Sequence, residues 1–338
     1  MKRAMTRSIP QGAIARAHAN IAIAKYWGKS DVENNLPAVP SVSVTLSALT
    51  TTTTVRFSQE LEQDELELNG APASADAMRR ATRMLNQVRE LAGITHRAKI
   101  QSANDFPTAS GLASSASAFA ALSLASMRAA GLSIDRTLAS DMARRASASA
   151  ARSVWGGFVR LPAGSPGMTS LAAQQIAPPD HGDLSVVVAV TTEAKKATGS
   201  TDGMQHTSKT SPYYAAWIEL SHVLSERVER AIMNRDLREL GEAAEHSALA
   251  MHACAMGAAP AILYFEPSTI ACLKAVRALR ASGIDAYATI DAGPHVKVIT
   301  TSAHKEAVKA HMEKVPGVLR TIVSGVGGDA QVESIEDA

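Results

Sequence analysis

The residues most able to do chemistry fall in a few stretches whose side chains suit phosphate and carboxylate groups rather than metals. In FPTASGLASSASAFAAL, residues 106–122, a turn with Pro and Gly runs straight into a helix of small residues. Helix N-termini expose unpaired amides at the positive end of the macrodipole, and small side chains let backbone close on an anion. Ser114, Ser115 and Ser117 would add hydroxyls to such a cradle. The same pattern also describes a close-packed helix buried against a sheet, and it is not a Walker loop, because no GKS or GKT follows it.

In HANIAIAKYWGKSDVENNLP, Asn20, Lys25, Tyr26, Trp27 and Lys29 crowd together, with Asp31 and Glu33 beyond. If the segment is a strand, Lys25, Trp27 and Lys29 share a face and both ammonium groups can reach one phosphorylated ligand; an edge strand guarded by lysines is the plainer alternative. RRASASAARSVWGGFV, residues 144–159, carries Ser147, Ser149 and Arg152 into Gly156-Gly157. An arginine fork binds carboxylate through two parallel hydrogen bonds and keeps its proton, although a surface ion pair would use the same residue. Asp291, in an Asp-Ala-Gly-Pro turn after an apolar run, could orient or deprotonate a hydroxyl, or merely satisfy amides of its own turn. Residues 193–214, rich in Ser, Thr and Gly, suit a mobile lid over phosphates or an exposed loop. His246 and His252 miss the i, i+4 spacing of a helical metal pair, so core or surface roles fit them.

These side chains need elements to position them. Residues 41–57, SVSVTLSALTTTTTVRF, have the β-branched composition of a strand pair or one long bent strand. Asn69-Gly70 signals a hairpin, residues 75–92 have helical spacing closed by Gly93, and a strand is expected around 97–102. Helices follow at about 111–130 and 135–146. The second half opens on SVVVAVTT (185–192), short enough for a buried strand, followed by helices near 212–233 and 235–255. A further helix runs from Pro267 to about Ala281, and two strand-like runs flank the Asp291 turn. Strands with helices interposed predict an α+β fold of two lobes, 1–184 and 185–338, in preference to a doubly wound sheet.

Size and charge narrow the partners. At 338 residues the chain can bury a substantial core. Lys and Arg total 34 against 32 Asp and Glu, so nothing global calls for nucleic acid or an anionic membrane, and small molecules are the expected partners. Cys254 and Cys272 are too few for a disulfide framework or a zinc site and fit a reducing, cytoplasmic setting. Lys2, Arg3 and Arg7 precede no apolar run of export-signal length, and the uncharged stretch Pro107 to Met127 is too rich in Ala, Ser and Gly for a membrane span.

Taken together and in order, NIAIAKYWGK, FPTASGLASSAS, SASAARSVWGGFV, KKATGSTDGM, MHACAMGAAPAILYF and IDAGPHVKVI resemble segments of the diphosphomevalonate decarboxylases of the GHMP kinase superfamily. The likeness spans residue 14 to about residue 325. It implies a GHMP kinase-like two-lobed fold, with a ribosomal protein S5 domain 2-like N-terminal lobe carrying the phosphate loop and a GHMP C-terminal lobe. It also implies an enzyme that uses ATP to phosphorylate the C3 hydroxyl of diphosphomevalonate, then expels phosphate and carbon dioxide to leave isopentenyl diphosphate for isoprenoid synthesis. By this resemblance Asp291 is the catalytic aspartate, Arg152 grips the carboxylate, and Lys25 supports both. Asn20 would orient Arg152, while Tyr26, Lys29, Ser147 and Ser149 meet the diphosphate and neighbouring groups. Ser110, Gly111, Ala113, Ser114, Ser115 and Ser200 fall to ATP, with Ser115 facing the transferred phosphate. Magnesium is implied through the ATP phosphates, with Ser115 its one candidate protein ligand, and the family favours a homodimer.

The chain departs from the family where ASASAARS stands for GSGSACRS, DAGPH for DAGPN, and Gly199-Ser200-Thr201 for a Ser-Ser-Thr run. The Gly-to-Ala changes alter backbone freedom, and His295 puts a group that could charge at about pH 6.5 where the family has an amide. Three rivals stay open: a phosphomevalonate decarboxylase giving isopentenyl phosphate, a mevalonate-type kinase that stops at phosphorylation, and a nucleotide-binding regulator without turnover. Arg152 and Asp291 together argue against the last two.

Overall fold

The computed structural model describes residues 12–106, 114–194 and 197–335. Its larger sheet has eight strands, with the path Gln331–Ile335, Gly12–Ala24, Ser41–Ser58, Arg97–Asn104, Glu65–Leu68, Ala71–Pro72. Phe158–Leu161 and Gln174–Ala177 extend it beside Ser41–Ser58. Ser41–Ser58 is one strand of 18 residues. It pairs with Gly12–Ala24 along one side and with Phe158–Leu161 and then Arg97–Asn104 along the other. Among the described strands only Glu65–Leu68 and Arg97–Asn104 pair in parallel, so the fold is α+β and not doubly wound.

Local signals were obeyed where they were strongest. Asn69 and Gly70 sit at φ 50° and 78° and turn the hairpin between Glu65–Leu68 and Ala71–Pro72, as Asn-Gly favours. Helix Ala75–Ala92 opens at Ser74, whose hydroxyl accepts from the Ala77 amide, and closes at Gly93 in the left-handed region.

Helix Ser114–Ala129 packs on Gly12–Ala24 and Ser41–Ser58 and is buried nearly all round. Alanines on both surfaces, Ala13, Ala15 and Ala17 against Ala120, Ala121 and Ala125, allow the close approach. Its inner serines are satisfied by the helix itself: Ser123 donates to the Ala120 carbonyl at 2.8 Å and Ser126 to that of Leu122 at 2.7 Å. Ser117 belongs with these, its hydroxyl 2.6 Å from Thr51 Oγ1 inside the interface, so it is not part of an anion cradle.

The second sheet is antiparallel, in the order Tyr287–Ile290, Val296–Thr300, Ser185–Val190, Arg320–Gly325. One apolar cluster runs from Ile21, Ile23, Val42 and Leu46 to Val186, Val188 and Val190, so the two sheets share a core. That is why Gly12–Ala24 loses its alternation after Ala19 and becomes buried on both faces. Residues 193–214 are not a loop throughout, for Ser200–Thr210 is helical. Gly203 within it faces a tight contact, where a Cβ would lie 2.7 Å from Tyr264 Oη and 3.0 Å from Trp27. A helix docked this closely is held by packing that its polar composition conceals.

The last strand, Gln331–Ile335, returns to the first sheet and pairs with Gly12–Ala24, Gly12 opposite Ile335 and Arg16 opposite Gln331. Gly156 makes room for the returning chain, since a Cβ there would meet the Gly328 backbone at 2.2 Å. No helix among the described residues is long and apolar enough to cross a membrane.

Candidate functional site

A cleft of about 1040 Å³ draws its lining from both halves of the chain. Asn20, Lys25, Tyr26, Lys29, Ser114, Ser115, Ser147, Ser149, Arg152, Ser200 and Asp291 all lie on it, which brings together every described residue assigned by the family resemblance, while Ser117 stays apart. Ser110, Gly111 and Ala113 lie outside the described residues.

Strand Gly12–Ala24 stops just before Lys25, so the expected three-residue face does not form. Trp27 instead packs with Trp217 and Tyr264, and its carbonyl accepts from Trp217 Nε1 at 2.7 Å. The backbone then turns at Gly28, φ 123°, and Lys29 enters the cleft from the short strand Lys29–Asp31. Nor is Gly12–Ala24 an edge strand, since it has neighbours on both sides. Lys25 is fixed at two points: its amide donates to Ser247 Oγ at 2.9 Å, and its ammonium to the Ala22 carbonyl at 2.7 Å. From there the ammonium also reaches Asp291 Oδ1 at 2.6 Å.

Asp291 follows strand Tyr287–Ile290, and its second oxygen, Oδ2, meets Lys297 Nζ at 3.0 Å. Lys297 went unnoticed in the sequence, where its one signal was an ammonium among the valines of strand Val296–Thr300. Arg152 sits in the 3-10 turn Ala148–Val154 and is 2% exposed, which rules out a surface ion pair. Its Nη1 donates to Ser41 Oγ at 2.7 Å and its Nη2 to Asn20 Oδ1 at 3.3 Å, while Nε is buried without a partner. Asn20 is held in turn, donating to Ser153 Oγ at 2.7 Å and the Ser149 carbonyl at 3.0 Å. Tyr26 Oη is likewise buried and unpartnered. Such idle polar atoms beside a cleft mark where a ligand completes the bonding.

Lys29 donates to Asn35 Oδ1 at 2.5 Å. Arg79, Arg80, Arg83 and Arg145 line the same rim, a further set that the sequence reading missed although three of them cluster on helix Ala75–Ala92. Helices Ser114–Ala129 and Ser200–Thr210 both present their first described residues to the cleft, and the Gly199 cap of the second makes no side-chain bond. Two positive helix ends and a cationic rim make an anion site. A smaller cavity of about 140 Å³, walled by Leu66, Leu68, Ile100 and Phe119, shares Arg80, Ser114 and Ser115 with the cleft.

The electrostatics follow from burial. Burial alone would raise the Asp291 carboxyl, but the charges of Lys25 and Lys297 and their hydrogen bonds outweigh it and hold it far below the usual carboxylate range. Burial pulls the Lys25 ammonium down to about 8, with Asp291 opposing the fall and Lys297 and Arg152 adding to it. Burial and then Lys25 push His252 down to about 3, leaving a neutral ring whose Nε2 lies 3.1 Å from the Asp291 carbonyl oxygen. His252 is thus a core residue that steadies the Asp291 turn. His295 is not the charged group that the sequence allowed. Burial and then Lys297 push it to about 4, and its Nδ1 accepts from the Thr191 amide at 3.2 Å.

Among the described residues no three His, Cys, Asp or Glu side chains group as a metal site. Asp291 has both oxygens engaged by lysines, so among the described residues a magnesium ion arriving on phosphates would be offered the hydroxyls of Ser114 and Ser115 and separate lining carboxylates such as Asp202, rather than a carboxylate cage. The arrangement can seat a polyphosphate at the rim, a carboxylate at Arg152 and a hydroxyl at Asp291.

Residues 17–172 match the diphosphomevalonate decarboxylase-like N-terminal domain, and residues 186–331 match the mevalonate 5-diphosphate decarboxylase C-terminal domain. The diphosphomevalonate decarboxylase of Candida albicans is 36% identical over 322 residues, 89% of this chain and 88% of its own. The phosphomevalonate decarboxylase of Haloferax volcanii is 34% identical over 321 residues, 95% of this chain and 97% of its own. The solved structure described as MDDEF in complex with MVAPP, AMPPCP and magnesium superposes with a TM-score of 0.89 at 36% identity, covering 96% of this chain and 99% of that one.

Proposed function

This chain belongs to the diphosphomevalonate decarboxylase family, and on that premise we propose that it converts diphosphomevalonate and ATP to isopentenyl diphosphate, ADP, phosphate and carbon dioxide. The observation that carries this reading is a carboxylate, Asp291, clamped between two ammonium groups in the same cleft as the buried, Asn20-held Arg152.

Each group has a task set by its chemistry. The apolar slot beside Ser114 and Ser115 takes the nucleotide base, and the two helix ends take the phosphates. Ser115, and Ser114 beside it, would offer hydroxyls to a magnesium ion arriving with ATP, and that ion would offset the charge on the phosphates. Lys29, Tyr26, Ser147 and Ser149 receive the diphosphate of the substrate. Asp291 accepts a hydrogen bond from the C3 hydroxyl and aligns its oxygen on the terminal phosphorus of ATP. Lys25 balances the carboxylate so that it stays ionised beside so much phosphate. Phosphate then leaves C3 with the bonding pair, the C1–C2 pair moves in to form the C2–C3 double bond, and carbon dioxide departs. Arg152 serves this step because a guanidinium cannot give its proton away and so keeps the departing carboxylate ionised.

The test is an assay of ADP and carbon dioxide with ATP, Mg²⁺ and either diphosphomevalonate or phosphomevalonate. The two products are expected in equal amounts with the diphosphate, and Asp291→Asn is expected to lower kcat by about 10³-fold or more. The Haloferax relative favours one second reading, turnover of the monophosphate alone, which the same assay separates. ADP without carbon dioxide would make the protein a kinase and remove the role given to Arg152. We further propose a cytoplasmic homodimer, checked by light scattering, with lobes at 1–184 and 185–338 and the strand Gln331–Ile335 reaching back to the first.

A further inference from the structure

Among the described residues, Lys297 is the one charged group touching Asp291 that neither lines the cleft nor has a task in the mechanism above. Its side chain is 1% exposed, deep in a strand otherwise made of Val, Ile and Thr. A buried ammonium is costly unless paired, and a valine or leucine would fill a sheet interior at less expense. Its position therefore calls for an explanation in terms of its partner.

That partner is Asp291, approached from two sides. Lys25 takes Oδ1 from within the cleft and Lys297 takes Oδ2 from the sheet, leaving the carboxylate 24% exposed toward the cleft. The other ionisable groups facing it are Arg152 on the 3-10 turn, His252 on helix Leu237–Met256 and His295 at the start of strand Val296–Thr300. Both imidazoles are neutral, so among the described residues the cationic side chains around Asp291 are Lys25, Lys297 and Arg152. Two consequences follow. The carboxylate cannot swing about its last torsion, because each oxygen has its own ammonium. It is also a poor proton acceptor, because a proton arriving there would break an ion pair.

Resting on the function proposed above, we infer that Lys297 is a positioning residue: from behind the cleft it locks the rotation of Asp291 and keeps it a hydrogen-bond acceptor for the substrate hydroxyl. The hydroxyl proton then leaves with the transferred phosphoryl group, whose oxygens are its nearest alternative bases.

Lys297→Met keeps the length and removes the charge, and Lys297→Gln keeps a donor as a second variant. In steady-state assays with diphosphomevalonate, kcat is expected to fall about 10- to 100-fold while KM for both substrates moves less than about threefold. The acid limb of kcat is expected to move to higher pH, since a carboxyl that loses a cation binds its proton more readily. Wild-type kcat with an unmoved limb overturns the proposal, as does a loss of kcat and melting temperature together with the limb unmoved. Failure of both variants to fold makes Lys297 structural and also overturns it. The ionisation itself is read without substrate, by NMR of protein labelled at the aspartate carboxyl carbon, with Asp291→Asn giving the assignment. Asp291 should stay ionised through the usual range around pH 4 in the wild type and titrate within it in Lys297→Met. An identical titration in both sinks the inference whatever the substrate proves to be.

Discussion

Around Asp291 the charged groups are buried and come from separate elements, with Lys25 and Lys297 at 2% and 1% exposure. At the rim Arg79 is 75% exposed, and both it and Arg80 pair with the half-exposed Asp76. The buried set has fixed directions because each donor is held by a second partner, as Lys25 is by Ala22 and Arg152 by Ser41. Arg79, the most exposed of the rim, is long and solvated and can follow a phosphate wherever it settles, whereas Arg145 is tied back to Asp141 and Arg80 lies over the Phe119 ring. Bond making needs sub-ångström alignment and is given to the interior; holding a diphosphate needs charge, and the surface can supply it.

Arg152→Lys breaks the comparison at its buried end. A lysine cannot replace a planar fork tied to Ser41 and Asn20, so kcat for carbon dioxide release should fall about 10²- to 10³-fold, read directly in the product assay. A loss below about threefold would show that the fork geometry is not used. Lys29→Met probes the rim, where KM for the phosphorylated substrate should rise about tenfold with kcat within about threefold, and the penalty should shrink as salt is raised. An effect on kcat larger than that on KM would erase the distinction between the two ends.

The smallest expected effect is on stability. His295 titrates at about 4 in the folded protein against about 6.5 unfolded, so below pH 6.5 the unfolded chain takes up the proton first and folding is penalised as pH falls. His295→Asn removes that penalty. Between pH 7.5 and pH 5 the variant should gain on the order of 1–2 kcal/mol relative to the wild type, measured by urea unfolding at both values. An unchanged difference would mean that the ring is solvated in the native state.

How legible this was depended on where each signal lay. Capping and turn residues, Gly93, Asn69 and Gly70, act locally and placed their elements closely. The cleft residues were readable because a family resemblance joined segments that spacing alone could not bring together. Lys297 stayed hidden because a single lysine in an apolar strand announces nothing until the fold supplies Asp291. Helix Ser200–Thr210 was masked by its Ser, Thr and Gly content, which describes a loop unless the contact of Gly203 with Trp27 and Tyr264 is known. Ser117 was misread for the opposite reason: its type fitted the cradle, but its helical phase turned it onto Thr51.

The strand Gln331–Ile335 has a bearing on how the protein is made. Its partner, Gly12–Ala24, is synthesised about 300 residues earlier, so one edge of that strand stays unpaired until Gln331–Ile335 has also been made. Through that interval the nascent chain carries an exposed edge able to recruit strands from neighbouring molecules. Arg16, flanked by alanines on that edge, stands as a charged gatekeeper during the wait, and its later ion pair with Glu333 marks the moment the seam is closed.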